Sequence, residues 1–151
     1  KRNTMLKIKL VRYSNLERDV IFDISTDIER FSKLLPKYFK SLQITKSSNS
    51  EYLVTEKISF LGKILETQTK HVVKKPDIHE IHLLTGPLRN SSFLELYEIS
   101  DKGTKVTIEV NLQFKGVFRL FSIFGFFIKK QVNKILDEFL LACENKKMNH
   151  V

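Results

Sequence analysis

Residues 105–115 read KVTIEVNLQFK and run without a break into residues 116–144, GVFRLFSIFGFFIKKQVNKILDEFLLACE. In the first stretch Val106, Ile108, Val110, Leu112 and Phe114 alternate with Thr107, Glu109, Asn111 and Gln113. Successive side chains of a strand point to opposite faces, so this is a strand with one dry face and one wet face. In the second stretch the period changes. Phe118, Phe121, Gly125, Ile128, Val132, Ile135, Phe139 and Ala142 recur at steps of three and four, the apolar stripe of a long helix. Its polar face from Lys129 onward carries Lys130, Asn133, Lys134, Asp137, Glu138 and Glu144. A sheet dry on one side needs a cover, and this helix supplies it. The expected architecture is α+β: an antiparallel sheet covered on a single face by the C-terminal helix.

Upstream of that pair, further segments alternate with period two. Tyr38 to Lys46 is the weakest. Glu51 to Leu61 places Val54, Ile58 and Phe60 on one face, and Gly62-Lys63 turns the chain. Ile64 to Lys74 puts Leu65, Thr67, Thr69, His71 and Val73 together. Ile78 to Thr85 and Phe93 to Ile99 flank a Gly86-Pro87 turn, and Asp101-Lys102-Gly103 makes the next hairpin. Met5 to Tyr13 is a first strand, with Leu6, Ile8 and Leu10 opposite Lys7 and Lys9. Between it and the later strands, Val20, Ile21, Ile24, Ile28, Phe31 and Leu35 have helical spacing. Ser14 or Asn15 is expected to cap this element, and Ser25, Thr26 and Asp27 to break it and cap a second short helix ending at Pro36. No repeat or linker divides the sequence, so residues 1–151 read as one domain.

The order strand, two short helices, six strands, long helix is that of the helix-grip fold. Within it, residues 21–36 (IFDISTDIERFSKLLP) resemble the early two-helix segment of the polyketide cyclase/START-like superfamily. Residues 85–89 (TGPLR) before a strand and residues 103–114 (GTKVTIEVNLQF) leading into the helix are similar to the coenzyme Q-binding Coq10-type group. The chain departs from that group at Ser32, where Pro is usual, and at residues 94–97 (LELY), which lack a frequent Trp. The resemblance implies a curved sheet of about six or seven strands wrapped around the helix. It also implies a cavity for sterols, quinones, polyketides or other apolar molecules. Relatives include aromatases and cyclases, and bacterial proteins that act on ribosomes, so fold alone does not fix function.

Composition narrows the field further. Apolar residues make up 42%, with 12 Phe and no Trp, and no apolar run is long enough to span a bilayer. Nothing at the N-terminus reads as a secretion signal, and Met5 is the expected natural start, with Lys1 to Thr4 foreign to it. A lone Cys143 makes no internal disulfide and suits the cytoplasm. The net charge of +9 favours anionic partners, but Lys and Arg are scattered, as ordinary solubilising surface charge is. A nucleic-acid binder would cluster basic and aromatic side chains on one face, so RNA or ribosome binding is kept only as an alternative.

The candidate site follows from the dry faces. Phe60, Thr67, Thr69, His71 and Leu83 from the earlier strands, and Leu112 and Phe114 from the last, are expected to line the cavity. Phe118, Phe121, Phe124 and Ile128 would close it from the helix, while Arg89 and Tyr97 near the mouth would orient a ligand headgroup. Phe118, Phe124, Phe126 and Phe127 spread around the helix, which suits a portal touching an anionic membrane with Arg119, Lys129 and Lys130. No metal site is expected, because His79 and His82, three apart on a strand, face opposite sides. No cofactor is implied. Cys143 is expected to be buried packing. His71 is not expected to be catalytic, since no carboxylate or nucleophile is recognisable beside it. The sequence therefore reads as a monomeric, non-enzymatic carrier of a lipophilic molecule. A cyclase or dehydratase acting on a polyketide-like substrate is the alternative.

Overall fold

A computed structural model of the chain describes residues 5–116 and 125–148, except the side chains of 147 and 148. Seven strands form one sheet: β1 (Met5–Ser14), β2 (Phe39–Ser48), β3 (Glu51–Phe60), β4 (Lys63–Lys74), β5 (Ile78–Leu83), β6 (Ser92–Ser100) and β7 (Gly103–Gln113). Their spatial order is β1-β7-β6-β5-β4-β3-β2, and every pairing is antiparallel. Six strands therefore follow one another as hairpins, and β1 returns to pair with the last of them. Two short helices, α1 (Arg18–Thr26) and α2 (Phe31–Leu34), are joined by a 3-10 turn at Ile28–Arg30, and α3 (Gly125–Met148) is the long one. This is the helix-grip arrangement read from the sequence.

Alternation decided which face of each strand is dry. On β4, Leu65, Thr67, Thr69, His71 and Val73 are all buried, and on β7 Val106, Ile108, Val110 and Leu112 are. Helix α3 lies on this face through Ile128, Val132, Leu136, Phe139, Leu140 and Cys143. Ile135 and Ala142 of the sequence stripe are half-buried and pack against this core, which also takes in Leu136, Leu140 and Cys143 beside them. Burial pushes the Cys143 thiol up to about 12, so it stays neutral packing.

The short helices join both layers. Phe22 of α1 meets Tyr97 of β6 edge to face at 5.5 Å, and Phe31 stacks on Phe139 of α3 at 5.5 Å. The capping expectation fails in detail. The N-cap of α1 is Glu17, without a side-chain cap. Ser14 is held in the β1–β7 ladder opposite Thr104, and its Oγ accepts from the Leu16 amide at 3.2 Å, short of the helix. Ser25 and Thr26 instead donate their hydroxyls back to the Phe22 carbonyl oxygen at 2.9 and 2.8 Å, which competes with the helix ladder and ends α1.

Three polar residues of α3 assigned to its solvent face fasten the helix to the sheet. Arg12 donates from Nε to Asp137 Oδ1 at 2.8 Å and from Nη2 to Asn133 Oδ1 at 2.6 Å. Ser14 donates to Glu144 Oε1 at 3.3 Å.

Candidate functional site

Between α3, the short helices and the dry face of the sheet lies a cavity of about 170 Å³. Its walls are mostly apolar: Ile28, Phe31 and Leu35 at one side, Ile81, Leu83 and Phe93 from the sheet, and Val132, Leu136 and Phe139 from α3. An apolar cavity near 150 Å³ stays dry and takes up a small aromatic molecule, so this one holds roughly one or two fused rings without rearrangement.

One patch of the wall is polar, and it is built one residue per strand. Glu56 (β3), His71 (β4), His79 (β5) and Glu95 (β6) all line the cavity. His71 Nε2 lies 2.7 Å from Glu56 Oε1, and His71 Nδ1 lies 2.9 Å from His79 Nε2. His79 Nδ1 is 3.1 Å from Glu95 Oε1. Thr69 donates its hydroxyl to Glu56 Oε1 at 2.8 Å, and Tyr97 donates to Glu95 Oε1 at 2.8 Å. The chain is thus Thr69–Glu56–His71–His79–Glu95–Tyr97, running across four neighbouring strands. Burial, and after it the Glu95 charge, raise the Tyr97 phenol well above its ordinary value, so it remains a donor.

Both ring nitrogens of each histidine are engaged within this row. The four side chains lie in a line and do not converge on a point. Among the described residues no group of three or more His, Cys, Asp or Glu is placed to hold a metal ion.

The expectation that no carboxylate accompanies His71 is overturned by the 2.7 Å contact with Glu56. Sequence reasoning also passed over His79, which β5 turns inward while His82 faces away. Glu56, His79 and Glu95 share the parity of the apolar residues on their strands, and that was the available signal.

The expected lining residues divide. Phe60, His71, Leu83 and Leu112 border the cavity. Thr67, Thr69, Tyr97, Phe114 and Ile128 are buried behind it. Thr67 donates to the Thr85 carbonyl oxygen at 2.7 Å and anchors the loop after β5. Thr69 and Tyr97 orient the carboxylates. Arg89 is exposed, outside the cavity wall, since the Gly86–Arg89 turn directs Leu88 inward instead. Phe118, Arg119, Phe121 and Phe124 lie outside the described residues. Phe126 and Phe127 are 74% and 60% exposed at the start of α3, with their rings edge to face, and Lys129 and Lys130 are exposed beside them. Among the described residues no helix is long and apolar enough to cross a membrane.

Residues 15–140 match the family described as polyketide cyclase/dehydrase and lipid transport, and the chain belongs to that family. No curated protein sequence matches it. Among solved structures it is similar to TTHA0849 from Thermus thermophilus, with TM-score 0.80 and 11% identity, covering 96% of this chain and 99% of that one. The Zhui aromatase/cyclase from Streptomyces sp. R1128 aligns with TM-score 0.79 and 11% identity over 94% of this chain and 93% of its own. A START superfamily protein from Mycobacterium smegmatis aligns with TM-score 0.73 and 14% identity, covering 97% of this chain and 99% of that one. At such identities the likeness concerns the fold.

Proposed function

We propose that the protein binds a lipophilic small molecule, such as a lipid, an isoprenoid quinone or a polyketide-like compound, and carries or presents it without transforming it. The observation that carries this reading is the cavity, whose wall is mostly apolar and has the Glu56–Glu95 row as its charged patch. Filling it removes apolar ligand surface from water at about 25 cal/mol per Å². Membership of a family that includes lipid transport agrees with this. Native mass spectrometry of the purified protein, before and after extraction with organic solvent, is expected to show an apolar species that extraction removes. Absence of any such species, with no uptake of fatty acids or quinones by the extracted protein, would count against the reading.

A second reading, acid–base chemistry of the cyclase or dehydratase type, is favoured by one observation, the buried pairing of two carboxylates with two imidazoles. Binding remains the better account, because both ring nitrogens of each histidine are committed within the row and none is left to face a substrate.

Delivery of such a ligand needs a membrane encounter, and we assign it to the start of α3. Phe126 and Phe127 would enter the acyl boundary while Lys129 and Lys130 meet headgroups, each cation adding on the order of 1 kcal/mol. The protein is expected to sediment with anionic vesicles at low salt and to release at high salt. Phe126→Asp should remove most of that binding, and unchanged sedimentation would assign these rings another role.

A further inference from the structure

The polar end of the cavity offers acceptors and no donors. Every donor in the row is directed at a partner within it: the Thr69 hydroxyl and the His71 ring at Glu56, the His79 ring and the Tyr97 hydroxyl at Glu95. The bond between the two imidazoles uses the remaining ring nitrogens. Each carboxylate, by contrast, takes both of its bonds on Oε1. Among the described residues neither Glu56 Oε2 nor Glu95 Oε2 has a hydrogen-bond partner, although a carboxylate accepts about four bonds. Among the described residues the fully buried side-chain N and O atoms without a partner are Arg18 Nε, the Tyr38 hydroxyl and Asn111 Oδ1, so the two Oε2 atoms border open space.

Other hydroxyls near the wall do not alter this balance. Ser25 donates to the Phe22 carbonyl oxygen. Ser59 borders the cavity three residues along β3 from Glu56, roughly 10 Å away from the row. The Tyr38 phenol is sealed in protein; burial, and after it the neighbouring Glu138, push it up to about 12.

We infer that the cavity selects apolar molecules bearing a hydroxyl or N–H group, which donates to Glu56 or Glu95, over molecules of the same shape whose polar group only accepts. This rests on the binding reading above and narrows its ligand class to phenols, enols, hydroquinones and other hydroxylated lipophiles. A carbonyl oxygen placed there would meet carboxylate oxygens and lose its hydration without a replacement. A hydrogen bond to a charged acceptor is among the stronger ones, and in this setting it corresponds to about tenfold or more in affinity.

The test uses three two-ring probes of similar size, each titrated by equilibrium dialysis against the full chain after solvent extraction. They are 2-methylnaphthalene, an apolar isostere; 2-naphthaldehyde, which only accepts; and 2-naphthol, which donates. The expected result is that 2-naphthol binds about tenfold or more tighter than either of the others. In Glu56→Gln or Glu95→Gln that preference should fall to about threefold or less, since an amide replaces one acceptor oxygen with a donor. Equal binding of all three by the native protein overturns the inference and leaves the cavity reading standing, and so does preference for the aldehyde. Binding of none of them overturns both. Should either variant fail to fold, the ranking by the native protein decides alone.

Discussion

Glu56→Leu is expected to lower the unfolding free energy by about 3–5 kcal/mol, more than most single substitutions in this chain. The carboxylate is buried and receives both the Thr69 hydroxyl and the His71 ring on one oxygen. Leucine fills the volume but leaves those two donors facing hydrocarbon, where an unmade hydrogen bond carries its full desolvation penalty. Urea unfolding followed by circular dichroism measures the effect, with an unchanged slope showing that the two-state comparison holds. Adding His71→Leu should recover part of the loss, because the second substitution removes a stranded donor as well as a contact. A Glu56→Leu protein within about 1 kcal/mol of the original would mean that the row is not a committed hydrogen-bonded unit.

Gly103→Ala should be of comparable severity, for a steric reason. Gly103 closes the β6–β7 hairpin opposite Ser100 with φ +143, a conformation L side chains rarely adopt. A Cβ there would clash with the Ser14 carbonyl oxygen and lie 2.9 Å from the Asn15 carbonyl carbon. Both are backbone atoms at the end of β1, so no side chain can swing aside. A loss of about 3 kcal/mol or more is expected, read as a fall in melting temperature. Gly62→Ala is the control: its φ is +77 but nothing lies within 4 Å, so only the backbone term remains, about 1 kcal/mol. Equal losses at the two glycines would show that the Ser14 contact does not constrain the hairpin.

Most of the fold was legible because two periods separate cleanly along the chain. The strands read as Glu51 to Leu61 and Lys105 to Lys115 form at Glu51–Phe60 and Gly103–Gln113, with the expected faces inward. The helical stripe found α3, and the buried face is broader than the stripe, taking in Leu136, Leu140 and Cys143, since steps of three and four only approximate 3.6. The polar row was harder. His71 stood out because Thr67 and Thr69 accompany it on one strand, whereas Glu56 and Glu95 are single charges on otherwise apolar faces. What joins them is register. His79 pairs directly with Glu95 but diagonally with His71, through Val73, and alternation within a strand does not specify that offset. Arg89 was misjudged for a related reason, because in a turn no periodicity says which side chain points inward.

The pairing of β1 with β7 has a consequence for the order of events during synthesis. Met5 lies opposite Gln113, so β1, once synthesised, waits for β7 before it has a neighbour. At about 5–20 residues per second that interval is roughly 5–20 s, during which Leu6, Ile8 and Leu10 have no sheet to cover them. The hairpins from β2 to β7 form between adjacent segments and need no such delay, whereas closing a loop of this length sets a slow, non-local step. The nascent chain thus passes through a stage in which a six-stranded sheet offers β7 as an open edge, with its own N-terminal strand as the segment that closes it.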